Sequence, residues 1–226
     1  MTAKTITFSI EVGSGGFEVA RNIAETLKYR YYDWEIVNEV ASRVGAAPDQ
    51  VAAAAERLPS LAERIMQQLA FVSYASPESS LGDPSPDTLR SAMQTQSDDQ
   101  YRRLIEVLVR DLGSRGEAVI VGHASQITLA KTPGVLKVLI HGSFAKRQER
   151  MAAERGISVS EAEGVLKQLD KQRATFFKKV HSIDWLEAPH YDLSVNTDQL
   201  SLTDAEKWIM AAADSIATAP TPPVPA

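Results

Sequence analysis

The most constraining feature of this sequence is a short β-branched run that ends in a glycine cluster and passes at once into an apolar helical stripe. Thr5–Ile10 reads TITFSI, the pattern of a buried strand. Glu11-Val12-Gly13-Ser14-Gly15-Gly16 follows, and then Phe17, Val19, Ala20, Ile23, Ala24 and Leu27 fall on one side of a helix. Strand, glycine loop and helix in that order predict the start of an α/β domain. They also make an anion site: the first amides of a helix lack partners, the dipole is positive there, and glycine lets a phosphate approach the backbone. A structural turn that binds nothing would use the same glycines. The full pattern G-x-x-x-x-G-K-S/T is absent, because Gly16 stands where the lysine belongs and Phe17 and Glu18 replace the hydroxyl residue.

Beyond Tyr29–Asp33, helical patterns run through Trp34–Val44, Pro48–Arg57 and Leu58–Ser73. Ser73–Asp87 reads as an exposed proline-containing loop, and a helix is predicted over about Thr88–Gly113, closed by Gly113 and Gly116. Ala118–Gly122 and Val135–Gly142 are apolar runs of the buried parallel type. Ala145–Arg155 is a basic helix. Ser158-Val159-Ser160-Glu161 is a capping box opening a helix that extends to about Ser182. Tyr191–Thr197 is the last strand and Ser201–Ile216 the last helix. The expected fold is α/β: a parallel sheet of about five strands, helices on both faces, and a helical insertion after the first unit.

With 226 residues, 24 Lys plus Arg against 29 Asp plus Glu and a net charge of −5, the chain is a poor match for general nucleic-acid or anionic-membrane binding. It has no cysteine, which removes thiolate metal sites and cysteine nucleophiles and fits a reducing compartment. The start MTAKTITFSI lacks the features of a signal peptide, so a cytoplasmic location is expected. His123, His141, His181 and His190 show no metal-ligand spacing, so no protein metal site is expected.

Six segments resemble, in order, the cytidylate kinase-like family, a branch of the P-loop nucleoside monophosphate kinases. They are SIEVGSGGFEVA (9–20), YRYYDWEIVNEVA (29–41), AVIVGHAS (118–125), VLIHGSFAKRQERM (138–151), ISVSEAEGVLKQLDKQRATFF (157–177) and YDLSVNTDQLSLTDA (191–205). The resemblance implies a P-loop NTPase-like three-layer α/β/α fold in one unit over 1–217. Residues 34–115 would be an acceptor-side helical insertion and 143–182 the lid helices, with a disordered Pro/Ala tail at 218–226. It implies transfer of the ATP γ-phosphoryl group to a nucleoside monophosphate or similar small acceptor, with Mg2+ held mainly by the nucleotide phosphates. The alternative is a nucleotide- or anion-binding module with weak or no turnover. A homodimer is left open.

By the same resemblance, Gly13, Ser14, Gly15, Gly16, Phe17 and Glu18 would face the donor phosphates. The family pattern R-E-x-G-S-G-G lacks a lysine too; here Ile10 takes the arginine position and Glu11 remains. Asp33 and His123 would border the acceptor, His123 standing where relatives carry arginine. Asp33 also suits a helix N-cap, and His123 a strand-end surface position. Arg147 and Arg150 on one helix and Arg173 on the next would neutralise the transferring phosphoryl, provided the chain reverses near Gly156. A solvated basic face accounts for the same spacing. Asp170 sits in the family-like D-K-x-R-A stretch, and Asn196 ends the last strand, where ligands bind in open α/β sheets or where a turn simply forms. Alanine at Arg173 is expected to reduce nucleotide binding more than alanine at Glu11.

Overall fold

A computed structural model describes residues 3–44, 48, 51–52 and 98–218. Its centre is a five-stranded, wholly parallel sheet of β1 (Thr5–Ile10), β2 (Arg30–Tyr32), β3 (Ala118–Val121), β4 (Val135–His141) and β5 (Leu193–Asn196), in the order β2-β3-β1-β4-β5. β1 lies between β3 and β4 with Thr5 opposite both Ala118 and Val135. Every residue of β1 and β3 is buried, which is why both read as unbroken apolar or β-branched runs: helices cover both faces.

One face packs Ile6, Phe8 and Ile10 against α1 (Gly16–Leu27) and α7 (Leu202–Thr218), through Val19, Ile23, Ile209 and Ala213. The other packs Ala118, Ile120 and Val135 against α2 (Glu35–Val44) and α3 (Asp98–Arg115), through Ile36, Val40, Leu108 and Leu112. The result is a three-layer α/β/α sandwich. At its carboxyl edge, α5 (Phe144–Arg155) and α6 (Val159–Phe176) form a hairpin joined through Met151, Ala152, Ala162 and Leu166. Gly156 caps α5 in the left-handed conformation (φ +62°), so the expected reversal occurs there. Ser158 and Glu161 form the expected capping box, each side chain bonded to the other residue's backbone.

Several boundaries differ from the sequence reading. The fifth strand is Arg30–Tyr32, three residues at the sheet edge and too short to show alternation. Gly113 does not close α3 but lies within it, where Leu129 fills the space a Cβ would take; the helix ends at Arg115, before Gly116 (φ +81°). The helix from Ser158 is regular only to Phe176 and continues as a π-turn, Phe177–His181. Two short elements were not anticipated, α4 (Ser125–Thr128) and a 3-10 turn at Ala188–His190. The expected loop at Ser73–Asp87, the helix at Leu58–Ser73 and the tail from Ala219 lie outside the described residues, as do most of Pro48–Arg57 and the first part of Thr88–Gly113. None of the described helices is long and apolar enough to cross a membrane.

β1 leads toward β2 on one side and β4 toward β5 on the other, so the strand order switches between β1 and β4. Ligands in open α/β sheets bind outside the carboxyl ends of the strands at such a point. The glycine loop lies there.

Candidate functional site

The loop from Glu11 to Gly16 turns through two left-handed glycines, Gly13 (φ +81°) and Gly15 (φ +78°). Gly15, the N-cap of α1, has no side chain to cap the helix, and Ser14 is fully buried with its N–H on the Glu11 carbonyl at 3.1 Å. A Cβ on Gly13 would stand 2.5 Å from the carbonyl oxygen of Arg147, and one on Gly16 would stand 2.7 Å from Cγ2 of Ile10. The glycines therefore serve close packing as well as turning. Phe17 is half-buried against the core, and Glu18 is exposed. The Gly16 N–H reaches the Ser14 hydroxyl at 3.4 Å, and the next amides of α1, with no N-cap side chain, suit an anion's oxygens.

The basic residues anticipated at the lid converge on this loop. Arg173 donates from Nη1 to the Ile10 carbonyl at 2.6 Å, Arg147 from Nη1 to Val12 at 3.3 Å, and Arg150 from Nη1 to Ser14 at 3.1 Å. Alternate carbonyls of one loop thus take three guanidiniums. Arg150 also donates to Thr197, through Nη1 to Oγ1 at 2.9 Å and through Nη2 to the carbonyl oxygen. Arg173 lies over the Trp185 indole, 5.2 Å from its centroid.

Their charges are not equivalent. Arg147 is 3 % exposed, donates to both carboxylate oxygens of Asp170 at 3.0 and 2.8 Å, and lies 3.4 Å from Glu11. Its Nε donates to the Gly142 carbonyl at 3.2 Å. Burial disfavours its charge, but the bond to Asp170 and the field of Glu11 outweigh that, so its pKa is raised further. Burial pushes the Glu11 carboxyl above its ordinary value, against the opposing pull of Arg147 and the Gly142 N–H. Arg150 and Arg173 bond instead to neutral oxygens and an indole face.

Thr197, which the sequence placed with Asn196 and Asp198 at the carboxyl edge but gave no partner, is buried after β5 and joins the last strand to the loop: its hydroxyl is 2.9 Å from the Ser14 carbonyl. Asp198 accepts the Ser143 N–H at 2.8 Å, so the loop after β5 also fixes the start of α5. Asn196 forms the turn, accepting the Asp198 N–H at 2.8 Å. Nothing local distinguishes Thr197 from other threonines in the sequence; its partner is 183 residues away.

Asp33 and His123, both expected on the acceptor side, meet: His123 Nε2 is 2.7 Å from the Asp33 carbonyl. His123 and Ala124 have φ of +54° and +51°, so the turn after β3 is held in the left-handed region without glycine at those positions. This turn borders a cleft between α3 and α6. Ser9 and Gln126 contribute polar lining, Ile105 and Glu106 line it from α3, and Arg173 and Phe176 from α6. Its aromatic wall is ordered: Phe177 stacks on Trp185 at 5.9 Å and Phe176 meets Phe177 edge-on at 5.3 Å. Tyr191 donates to the Trp185 carbonyl at 2.5 Å, which holds that wall against the sheet. Trp185 was missed in the sequence.

The cytidylate kinase-like family model matches residues 5–199. Among solved structures, an uncharacterized protein from Eubacterium ventriosum is 18% identical with a TM-score of 0.64, over 93% of this chain and 98% of that one. A gluconokinase from Sinorhizobium meliloti is 17% identical with a TM-score of 0.50, over 96% of this chain and 94% of the other. At these identities the likeness is one of fold. No curated protein matches.

Proposed function

The chain belongs to the cytidylate kinase-like family, and from that premise we propose that it passes the γ-phosphoryl group of ATP to a nucleoside monophosphate or a similar small acceptor. The observation that carries this reading is the placement of two guanidiniums with neutral partners, Arg150 and Arg173, beside a glycine loop whose helix start has no side-chain cap. Exchanging a carbonyl partner for a phosphate oxygen adds attraction between opposite charges, and arginine's fork suits phosphate. Phosphoryl transfer needs mostly positioning and charge, and a loop without lysine must receive its charge from outside.

In this reading residues 1–217 form one kinase-like unit, with 34–115 as the acceptor-side insertion and 143–182 as the lid. The Gly13–Glu18 loop holds the donor phosphates, Arg150 and Arg173 face the transferred group, and Arg147 with Asp170 and Glu11 keeps the loop in shape. The cleft beside His123 and Asp33 receives the acceptor. Asn196 shapes the loop after β5. The donor set fits Mg2+ carried by phosphates and water rather than a protein cage: the described residues include no group of three His, Asp or Glu able to hold a metal, and Phe17 and Glu18 offer no hydroxyl. Bound in that way, Mg2+ would supply neutralisation of phosphate charge.

A second reading, a nucleotide- or anion-binding module without turnover, is favoured by one observation: Arg147, one of the three expected cations, is already matched by two carboxylates. A thermal-shift panel of nucleotides with and without Mg2+, followed by a coupled ADP-release assay with candidate monophosphates, separates the two. ATP-dependent stabilisation with ADP release on adding an acceptor is the expected result. Stabilisation without release selects the binding module, and neither effect overturns both.

A further inference from the structure

One polar side chain lining the cleft is only half satisfied. Gln126 belongs to α4, is 1% exposed, and lines the cleft together with Ser9, Arg173, Phe176 and Trp185. Its Nε2 donates to the Tyr191 hydroxyl oxygen at 3.4 Å. Its Oε1 is buried as well and has no hydrogen-bond partner among the described residues. The hydroxyls of Thr7 and Ser125 share that condition, but neither residue lines the cleft.

Turning the amide over does not relieve Oε1. A phenol has one proton, and Tyr191 places it on the Trp185 carbonyl at 2.5 Å. The phenol oxygen can then only accept, and Gln126 and Ser9 are the side chains that reach it. Burial pushes the Tyr191 pKa up, so the proton stays in place through the neutral range. A reversed amide would set Oε1 against an oxygen with no proton to give. Tyr191 lies outside the lining of the cleft, so the half of the amide turned away from it, Oε1, is the half directed to the cleft.

We propose that Gln126 is a specificity-determining residue of the cleft: its Oε1 takes one N–H or O–H donor of the molecule bound there, and Tyr191 is the positioning residue that fixes the amide. A buried acceptor without a donor has lost its water and found no replacement, and a donor on the ligand satisfies it. The aromatic wall offers area to any flat or apolar part of a ligand, so discrimination falls to the amide. An analogue lacking the donor leaves Oε1 unpaired in the complex and is rejected far more strongly than one lacking a methylene. That the ligand is the phosphoryl acceptor rests on the phosphotransferase reading above; the subsite itself does not.

Calorimetry on the full chain tests it with CMP, AMP and their analogues in which the exocyclic amino group, the 2′-hydroxyl or the 3′-hydroxyl is replaced by hydrogen. Gln126→Met, close in volume but without the amide, is expected to bind the preferred monophosphate about tenfold more weakly while ATP affinity is unchanged. One of the deletion analogues should show the same loss on the parent, and should bind the parent and Gln126→Met alike. Tyr191→Phe leaves the amide able to turn, so it should narrow the parent's preference for the monophosphate over that analogue. If Gln126→Met does not fold, the carbon-13 resonance of the Gln126 carboxamide in the parent reads the same bond: it should move with the monophosphate and not with the deletion analogue. Equal binding by the parent and Gln126→Met overturns the proposal, and so does an equal loss for every analogue, which marks general packing. If a monophosphate is phosphorylated while Gln126→Met changes nothing, the phosphotransferase reading stands and the subsite fails. If no monophosphate binds, nucleosides and free sugars are screened by the Gln126 resonance. A shift that disappears with the matching deoxy or deaminated compound keeps the subsite while the monophosphate reading fails; no shift with any of them overturns the subsite.

Discussion

The glycine loop and the cleft beside it share the carboxyl edge of one sheet, yet different forces shape them. The loop is braced by directed bonds: the carbonyls of Ile10, Val12 and Ser14 each take an arginine, and Thr197 ties Ser14 to β5. Around it, Gly13, Gly16 and Gly142 have no room for a Cβ. The cleft is instead walled by stacked Phe177 and Trp185 and by edge-on Phe176, with polar groups from α3, the β1 end and the turn after β3 around it. Directed bonds depend steeply on partner and distance, whereas the aromatic wall presents apolar area and ring faces. A common phosphate chemistry on the loop side and a chain-specific acceptor on the cleft side would divide in this way.

The sharpest way to break this contrast is to put a side chain into the loop. Gly13→Ala combines a left-handed backbone with a methyl group 2.5 Å from the Arg147 carbonyl oxygen, an atom of the backbone. The expected cost is roughly 3 kcal/mol of stability, read as a lower midpoint in urea unfolding, with loss of any nucleotide-induced thermal shift. Gly15→Ala should be milder in packing, because the atoms it meets belong to the flexible Leu202 side chain. Equal losses at both positions would show that the loop is not braced through Arg147.

Next in size is a pair of substitutions that separates stability from binding. Glu11→Ala removes one of two carboxylates from buried Arg147 and should cost about 2 kcal/mol of stability. Arg173→Ala should lower ATP affinity by about 2 kcal/mol, roughly thirtyfold by calorimetry, with a smaller effect on unfolding. If Glu11→Ala weakens ATP binding more than Arg173→Ala does, the assignment of Arg173 to the phosphates is wrong. The pH profile offers a check on Glu11. Burial raises its pKa above 4.5, so the folded state binds the proton more tightly. The stability this contributes is complete below pH 4.5 and lost as pH rises through the folded value. The difference between parent and Glu11→Gln unfolding curves should carry that slope.

On the cleft side, Phe176→Ala trims a half-buried wall and should weaken acceptor binding by about 1 kcal/mol while ATP affinity is unchanged. A fall in ATP affinity of the same size would mean that loop and cleft are one site. The smallest effect is at the start of α6. Hydrogen bonds from the Ser158 hydroxyl and N–H hold the Glu161 carboxyl below its ordinary value of 4.5. Its contribution is therefore present above that pH and lost as pH falls through the lower folded value. Protection factors of the 158–161 amides, corrected for the intrinsic pH dependence of exchange, should fall on acidification, and Ser158→Ala should remove most of that response.

What could be read in the sequence is what local periodicity encodes. The β1–loop–α1 order, the apolar runs of β3 and β4, the capping box at Ser158 and the reversal at Gly156 depend on residues within a few positions of one another, and all are present. Glycines at 13 and 15 announced a turn that other residues would strain to make. β2 escaped notice because three edge residues, of which only Tyr32 is buried, are too few to carry a periodic signal. The basic residues at 147, 150 and 173 were visible as candidates, but their inequality was not. That difference rests on partners far away in the chain: Arg147 lies 135 residues from Val12, Arg150 136 from Ser14, and Arg173 163 from Ile10. Spacing along a helix says which side chains share a face, and nothing about whether a carboxylate or a carbonyl will stand opposite. The meeting of His123 with Asp33, the place of Thr197 beneath the loop and the pairing of Trp185 with Arg173 belong to the same class. Elements follow from short-range backbone and burial preferences, so the chain itself determined them; the state of each charge follows from what packing brings within about 3 Å of it, and only the tertiary structure decided that.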